Sequence, residues 1–165
     1  MSQLISTAPT SRTATDLSQL PLLPEELEVP GELSPDRFHA GELLLSPDGR
    51  YLYASYRDTS EEHEERGDAI VIYSVAEDGT LELVRHVFTR LWILRGMVLS
   101  PDADARYIIA GGQNAGGIVI YERVDGGADL KEVARNADAP GGTSFIWRPQ
   151  HLAAALACRC ERVVS

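Results

Sequence analysis

Between residues 38 and 148 apolar and polar positions alternate with a period of two, in short runs separated by turn residues. That period places successive side chains on opposite faces of an extended backbone, so each run predicts a half-buried β-strand. LLLS, YLYASY, AIVIYSV and LELVRHV predict four strands in the first half of the stretch. MVLS, YIIAG, GIVIYER and LKEVAR predict four more in the second. The turns SPDG, EDGT and DGGA supply Pro, Asp and Gly where a tight hairpin needs a preset or positive φ.

The eight runs are two copies of one pattern. LSPDGRYLYASYRD from Leu45 answers LSPDADARYIIAGGQN from Leu99, and AIVIYSVAEDGTLELVRHV answers GIVIYERVDGGADLKEVAR. Four antiparallel strands in about 50 residues is the period of a β-propeller blade. The expectation is an all-β propeller fold of four-stranded antiparallel blades, with about two blades present, near 38–90 and 91–148. Two blades do not close a ring and leave apolar faces uncovered. The chain therefore reads as part of a larger propeller or as a unit that self-associates through its open blade faces.

Residues 1–37, rich in Ser, Thr, Pro and Glu, show no strand or helix period and read as a loose leader. TSFIW, before Pro149, reads as a strand suited to a closing blade, and 149–165 shifts to Ala, Arg and Cys, an atypical tail with short-helix character. Composition narrows the partners. Fifteen Lys and Arg against 25 Asp and Glu give a net charge of −10, which leaves no electrostatic footprint for nucleic acid or an anionic membrane. A hydrophobic share of 44% is enough for a packed core rather than a disordered acidic chain. No apolar run approaches the ~20 residues of a membrane helix. The opening residues lack a secretory apolar stretch, and Cys158 and Cys160 sit too close together to staple a fold. A cytoplasmic protein is the expectation.

The repeat gathers a set of polar side chains. Glu42 precedes the first strand of its blade and Arg57 ends the second, so both emerge at the same end of one hairpin. In the second copy Arg95 precedes MVLS, while YIIAGG leads to Gln113 and Asn114. These five residues, joined by His39 from the entry loop, are expected at one face near the channel mouth. A carboxylate, two guanidiniums and two amides suit a small anion, since Arg makes bidentate contacts to carboxylate or phosphate. A carboxylate beside Arg also suits acid–base work on a carbonyl, with Arg stabilising the oxyanion. The plainer reading is a rim ion pair of Glu42 with Arg57 that ties neighbouring strands.

Other motifs are weaker. EEHEER (61–66) holds one His among four carboxylates but lacks a second His at i+4, so a solvated loop is favoured over a metal site. Arg66-Gly67-Asp68 spells an adhesion tripeptide that recurs by chance. GGQNAGG (111–117) resembles a phosphate-cradling loop without the following Lys-Ser/Thr or helix, which favours a tight strand connection. Cys158-Arg159-Cys160 has no partner cysteines for a metal site, and GxSxG is absent. Trp92, Trp147 and Phe145 read as packing between blades.

HAGELLLSPDGRYLYASYRD and RGMVLSPDADARYIIAGGQN resemble consecutive blades of the lactonase-type seven-bladed propellers. That family includes 6-phosphogluconolactonase-like hydrolases and the carboxy-cis,cis-muconate cyclases. The likeness covers about residues 38–148, the last two blades of such a ring. The resemblance implies lactone hydrolysis or lactonising cycloisomerisation of a small anionic lactone or carboxylate substrate, with no metal or organic cofactor. It further implies that Glu42 acts in acid–base chemistry and that Arg57 and Arg95 hold the substrate anion, with Gln113 as a substrate contact. The family's SNR is SYR here, with Tyr56, and its AAE is AGE, with Gly41. A catalytically inactive propeller remnant, serving as a binding or scaffold module, is the alternative.

Overall fold

The computed structural model describes residues 38–59 and 67–147. The leader, EEHEER and the tail with both cysteines lie outside the described residues. Eight strands follow in order: β1 Phe38–Leu45, β2 Tyr51–Asp58, β3 Ala69–Val75, β4 Leu81–Phe88, β5 Trp92–Leu99, β6 Tyr107–Ala115, β7 Ile118–Val124 and β8 Asp129–Asn136. They form two sheets, β1-β2-β3-β4 and β5-β6-β7-β8, each pairing in chain order. All six ladders are antiparallel. These are the two expected blades, and a single 3₁₀ turn, Asp125–Gly127, is the one helical element among the described residues.

The repeated Ser-Pro-Asp has a defined job in each first hairpin. Ser46 N–H donates to the Tyr51 carbonyl at 2.9 Å, and Ser100 N–H to that of Tyr107 at 2.8 Å. Each serine hydroxyl then accepts the tyrosine N–H, at 3.0 and 2.9 Å, and donates to the aspartate two residues on, Asp48 or Asp102. Backbone amides of Arg50 and Arg106 donate to the same carboxylates. Both carboxyls consequently lie below the ordinary carboxylate range, chiefly through the serine hydroxyl. The two extra residues of SPDADARY enlarge the loop without changing this closure.

The main core lies between the blades. Tyr53, Ile70 and Ile72 from the first meet Leu94, Ile108 and Val119 from the second, all fully buried. Tyr53 adds a polar link: its hydroxyl donates to the Gly127 carbonyl at 2.8 Å and accepts from Arg123 Nε at 2.7 Å. The opposite face of the first blade carries a second buried cluster of Ala54, Tyr56, Ala69, Val71 and Tyr73. Beside it Leu43 and Leu45 remain 45% and 56% exposed.

Burial pushes the phenols of Tyr73 and Tyr121 from 10.0 up to about 12. A phenol raised in this way stabilises the fold fully below pH 10 and loses that contribution as pH climbs through 12. Circular dichroism is therefore expected to show cooperative loss of structure in that window. The double variant Tyr73→Phe/Tyr121→Phe should shift the midpoint upward, and an unmoved midpoint would refute the assignment.

TSFIW does not form a strand. The segment Gly141–Trp147 crosses the second blade instead, held by Gly142 N–H to the Gly112 carbonyl at 3.2 Å and by Trp147 Nε1 to that of Leu99 at 2.7 Å. A strand needs a continuous ladder, and no described strand pairs with this one. Phe145 settles against Gly111, where an added Cβ would come within 2.5 Å of its ring. Phe145 thus packs against the blade, and Trp147 stays 37% exposed.

Candidate functional site

Bulges in the two inner strands position the site. In β1, Ala40 pairs with Tyr56 and Leu43 with Ala54, so Gly41 and Glu42 together oppose Ser55. In β5, Leu94 pairs with Gly112 and Gly96 with Gly111, which leaves Arg95 as the extra residue. A bulge breaks the strand's alternation and re-aims a side chain. Here it does so at equivalent places on neighbouring blades, for an acid in one and a base in the other.

The result is a recess of about 270 Å³ lined by Ala40, Gly41, Glu42, Arg57, Arg95 and Thr143. Glu42 N–H donates to Ser55 Oγ at 2.8 Å, which fixes the bulge. Arg57 Nη2 donates to the Ala40 carbonyl at 3.1 Å, whereas its Nε is buried with no hydrogen-bond partner among the described residues. Gly41 permits this packing, since a Cβ there would stand 2.6 Å from Ser55 Oγ and 3.1 Å from Arg57 Nε. Among the described residues no ion pair joins Glu42 to Arg57 or Arg95, so the carboxylate shares the recess without being tied as a rim bridge.

Gln113 stands behind Arg95, whose Nη1 donates to its Oε1 at 3.2 Å. His39 faces Arg57 in the β1–β2 register but is exposed and outside the lining. Asn114 is exposed and also outside it. The structure thus gathers Glu42, Arg57 and Arg95, with Gln113 bracing one of them, and leaves His39 and Asn114 at the margin. Thr143 was missed by sequence reasoning, because it follows the last strand in a segment with no pattern of its own.

GGQNAGG is the end of β6 and the turn into β7, as a tight strand connection requires. Asp68 of the adhesion tripeptide is 1% exposed, and its carboxylate accepts two backbone N–H groups, so it is not displayed. No group of three or more His, Cys, Asp or Glu that could hold a metal occurs among the described residues. At the opposite end of the hairpins a second recess of about 340 Å³ holds Arg50, Arg106 and Arg123 with Asp48 and Asp104. Its arginines are already engaged by Asp48, Glu122, Tyr53 and backbone carbonyls.

Comparison with known proteins gives the family. The family model described as lactonase, 7-bladed beta-propeller, matches residues 3–147. The chain belongs to that lactonase family. The match includes most of the segment read as a leader, so the family likeness reaches well beyond the two described blades. A 6-phosphogluconolactonase from Formosa agariphila is 28% identical over 111 residues, covering 67% of this chain and 29% of the relative. A candidate 6-phosphogluconolactonase from Bacteroides fragilis superposes with a TM-score of 0.53 at 25% identity, covering 64% of this chain and 27% of that one. One from Bacteroides uniformis gives 0.51 at 29% identity, with 62% and 27% covered. The periplasmic gluconolactonase of Pseudomonas aeruginosa, at 22% identity and a TM-score of 0.50, shares the fold over 66% of this chain and 29% of its own. This lactonase-family chain therefore spans less than a third of the length of these relatives. No helix among its described residues is long and apolar enough to cross a membrane.

Proposed function

We propose that the recess between the two blades binds a small anionic lactone or carboxylate and serves lactone ring opening or its reverse. The observation that carries this reading is the recess itself: one carboxylate without an ion-pair partner shares it with two guanidiniums, one of which retains a buried, unpartnered N–H. Arg57 and Arg95 take the substrate's carboxylate or phosphate and stabilise the oxyanion that forms at the lactone carbonyl. Glu42 removes a proton from the attacking water. The water oxygen bonds to the carbonyl carbon as the C=O π pair moves onto the oxyanion; collapse of that intermediate breaks the ring C–O bond, and the proton passes from Glu42 to the departing alkoxide. In the cycloisomerising alternative no water takes part: the substrate's own carboxylate oxygen bonds to one carbon of a C=C bond as the π bond breaks, and Glu42 in its acid form gives a proton to the other carbon. The names of the relatives make 6-phosphogluconolactone the first substrate to test, and the sequence resemblance to the muconate cyclases makes a muconate derivative the second.

Because Leu43 and Leu45 leave apolar surface uncovered on the first blade, we also propose that copies of the chain meet through their open faces and so contribute blades to one another. Light scattering behind a sizing column should then give a compact trimer or tetramer, and an expanded monomer would remove this route. On the assembled material Glu42→Gln is expected to lower turnover about a hundredfold or more with unchanged circular dichroism. If neither wild type nor variant turns over lactone, the reading of the chain as a non-catalytic binding module replaces this one.

A further inference from the structure

Asp68 sits in the joint between the blades, just before β3, and is 1% exposed. Each carboxylate oxygen holds a backbone amide from a different blade. Oδ1 accepts the Asp58 N–H at 3.0 Å, and Oδ2 accepts the Leu94 N–H at 2.7 Å. Asp58 directly follows Arg57, and Leu94 directly precedes Arg95. The backbone of Asp68 is engaged as well, with its N–H donating to the Leu91 carbonyl at 2.8 Å and its carbonyl accepting from Thr89 N–H and Oγ1.

The chain on the Leu94 side is strained. Ile93 has φ of 57°, the left-handed region where a β-branched side chain is strongly disfavoured. Such a conformation persists only where its surroundings over-determine it, and it concentrates at functional sites. The Asp68 carboxylate is bonded to the amide immediately after Ile93, and the bulge that presents Arg95 begins there. A buried carboxylate is costly unless its oxygens are satisfied, and a simple joint could be made by apolar packing alone.

We propose that Asp68 is a positioning residue that sets the separation of the Arg57 and Arg95 guanidiniums across the blade joint. The inference rests on the anion-binding reading of the recess. Its carboxylate works as a two-pronged spacer, with one prong on the strand end carrying Arg57 and the other on the bulge carrying Arg95. Anion affinity should therefore depend on a residue that is buried away from the anion.

The test is a titration of the full chain with inorganic phosphate, followed by amide NMR. In the wild type the amides of Asp58 and Leu94 should shift saturably, together with those of Arg57 and Arg95. Asp68→Asn cannot accept both N–H groups and should weaken phosphate about tenfold or more, as loss of a charge-assisted bond implies. Tyr53→Phe, which removes a polar link of the same joint at its far end, should lose stability but keep its phosphate affinity. Absence of any saturable response at Arg57 and Arg95 in the wild type would sink the anion-site reading itself. A response there with silent Asp58 and Leu94 amides would overturn only the role of Asp68. So would undiminished binding by Asp68→Asn, or an equal loss in Tyr53→Phe. The wild-type comparison decides the matter even where Asp68→Asn fails to fold.

Discussion

Replacing Gly117 by alanine is expected to lower the free energy of unfolding by about 3 kcal/mol or more, whereas the same change at Gly49 should cost about 1 kcal/mol. The two glycines share φ of 71°, so the intrinsic penalty for a left-handed alanine is common to both. Their surroundings differ. Around Gly49 no atom beyond its immediate chain neighbours lies within 4 Å of an added Cβ. At Gly117 that Cβ would lie 2.0 Å from the Asn136 carbonyl oxygen and 2.8 Å from the Ala137 Cα. The clash is with backbone, which cannot swing aside as a side chain can, and Asn136 pairs with Ile118 at the end of the β7–β8 ladder. Relief would open that ladder and the return of Gly112 N–H to the Gly117 carbonyl at 3.0 Å. Urea unfolding of both variants separates the steric contribution from the conformational one. Equal midpoints would show that the approach of Asn136 is not tight.

Leu94→Ala is the second large effect, expected at about 2–5 kcal/mol, the range for truncating a fully buried leucine. Leu94 is 0% exposed in the inter-blade core, on a strand laddered to β6 and packed against β1 and β2 of the first blade, so the vacated space cannot easily collapse. Leu45→Ala is the matched control. It removes the same atoms from a side chain that is 56% exposed and should fall within about 0.5 kcal/mol of wild type. A lowered urea midpoint with unchanged slope for Leu94→Ala alone would locate the cohesion of the two blades in their shared face. Equal effects would mean that the blades are stable without one another.

The strands were legible because two copies of one period-two pattern reinforced each other. Even so, the runs stopped short of the observed ends. LLLS marks only part of β1, since the alternation is interrupted at Gly41 and Glu42 by the bulge that makes them useful. The same interruption hides Arg95 in β5. Glu42, Arg57 and Arg95 were recoverable by counting outward from the turns, a measure of distance along strands that tolerates one inserted residue. His39 and Asn114 satisfied the same count yet stand outside the lining, because sharing an end of a sheet does not decide which face a side chain takes. Asp68 was not legible as a joint. A carboxylate in an acidic loop reads as solvated, and only the fold brings amides from two blades to it. Thr143 depends on a segment whose course over the second blade is set by Phe145 against Gly111, a pairing across 34 residues that no local period announces.

The strictly consecutive pairing of the strands also bears on how the chain acquires its structure. Every ladder joins strands that are consecutive in the chain, over loops of two to seven residues except for the ten between β2 and β3, so contact order within a blade is low and little loop entropy opposes its formation. During synthesis the first blade is complete once Phe88 has emerged, before any strand of the second exists. At that moment Tyr53, Ile70 and Ile72 present an uncovered apolar face, the kind of transient surface from which aggregation starts. Leu91 and Leu94 arrive within the next six residues, and they belong to that same core. These two residues begin to cover the face, and the interval of vulnerability closes only when Ile108 and Val119, from the second blade's share of that core, have emerged.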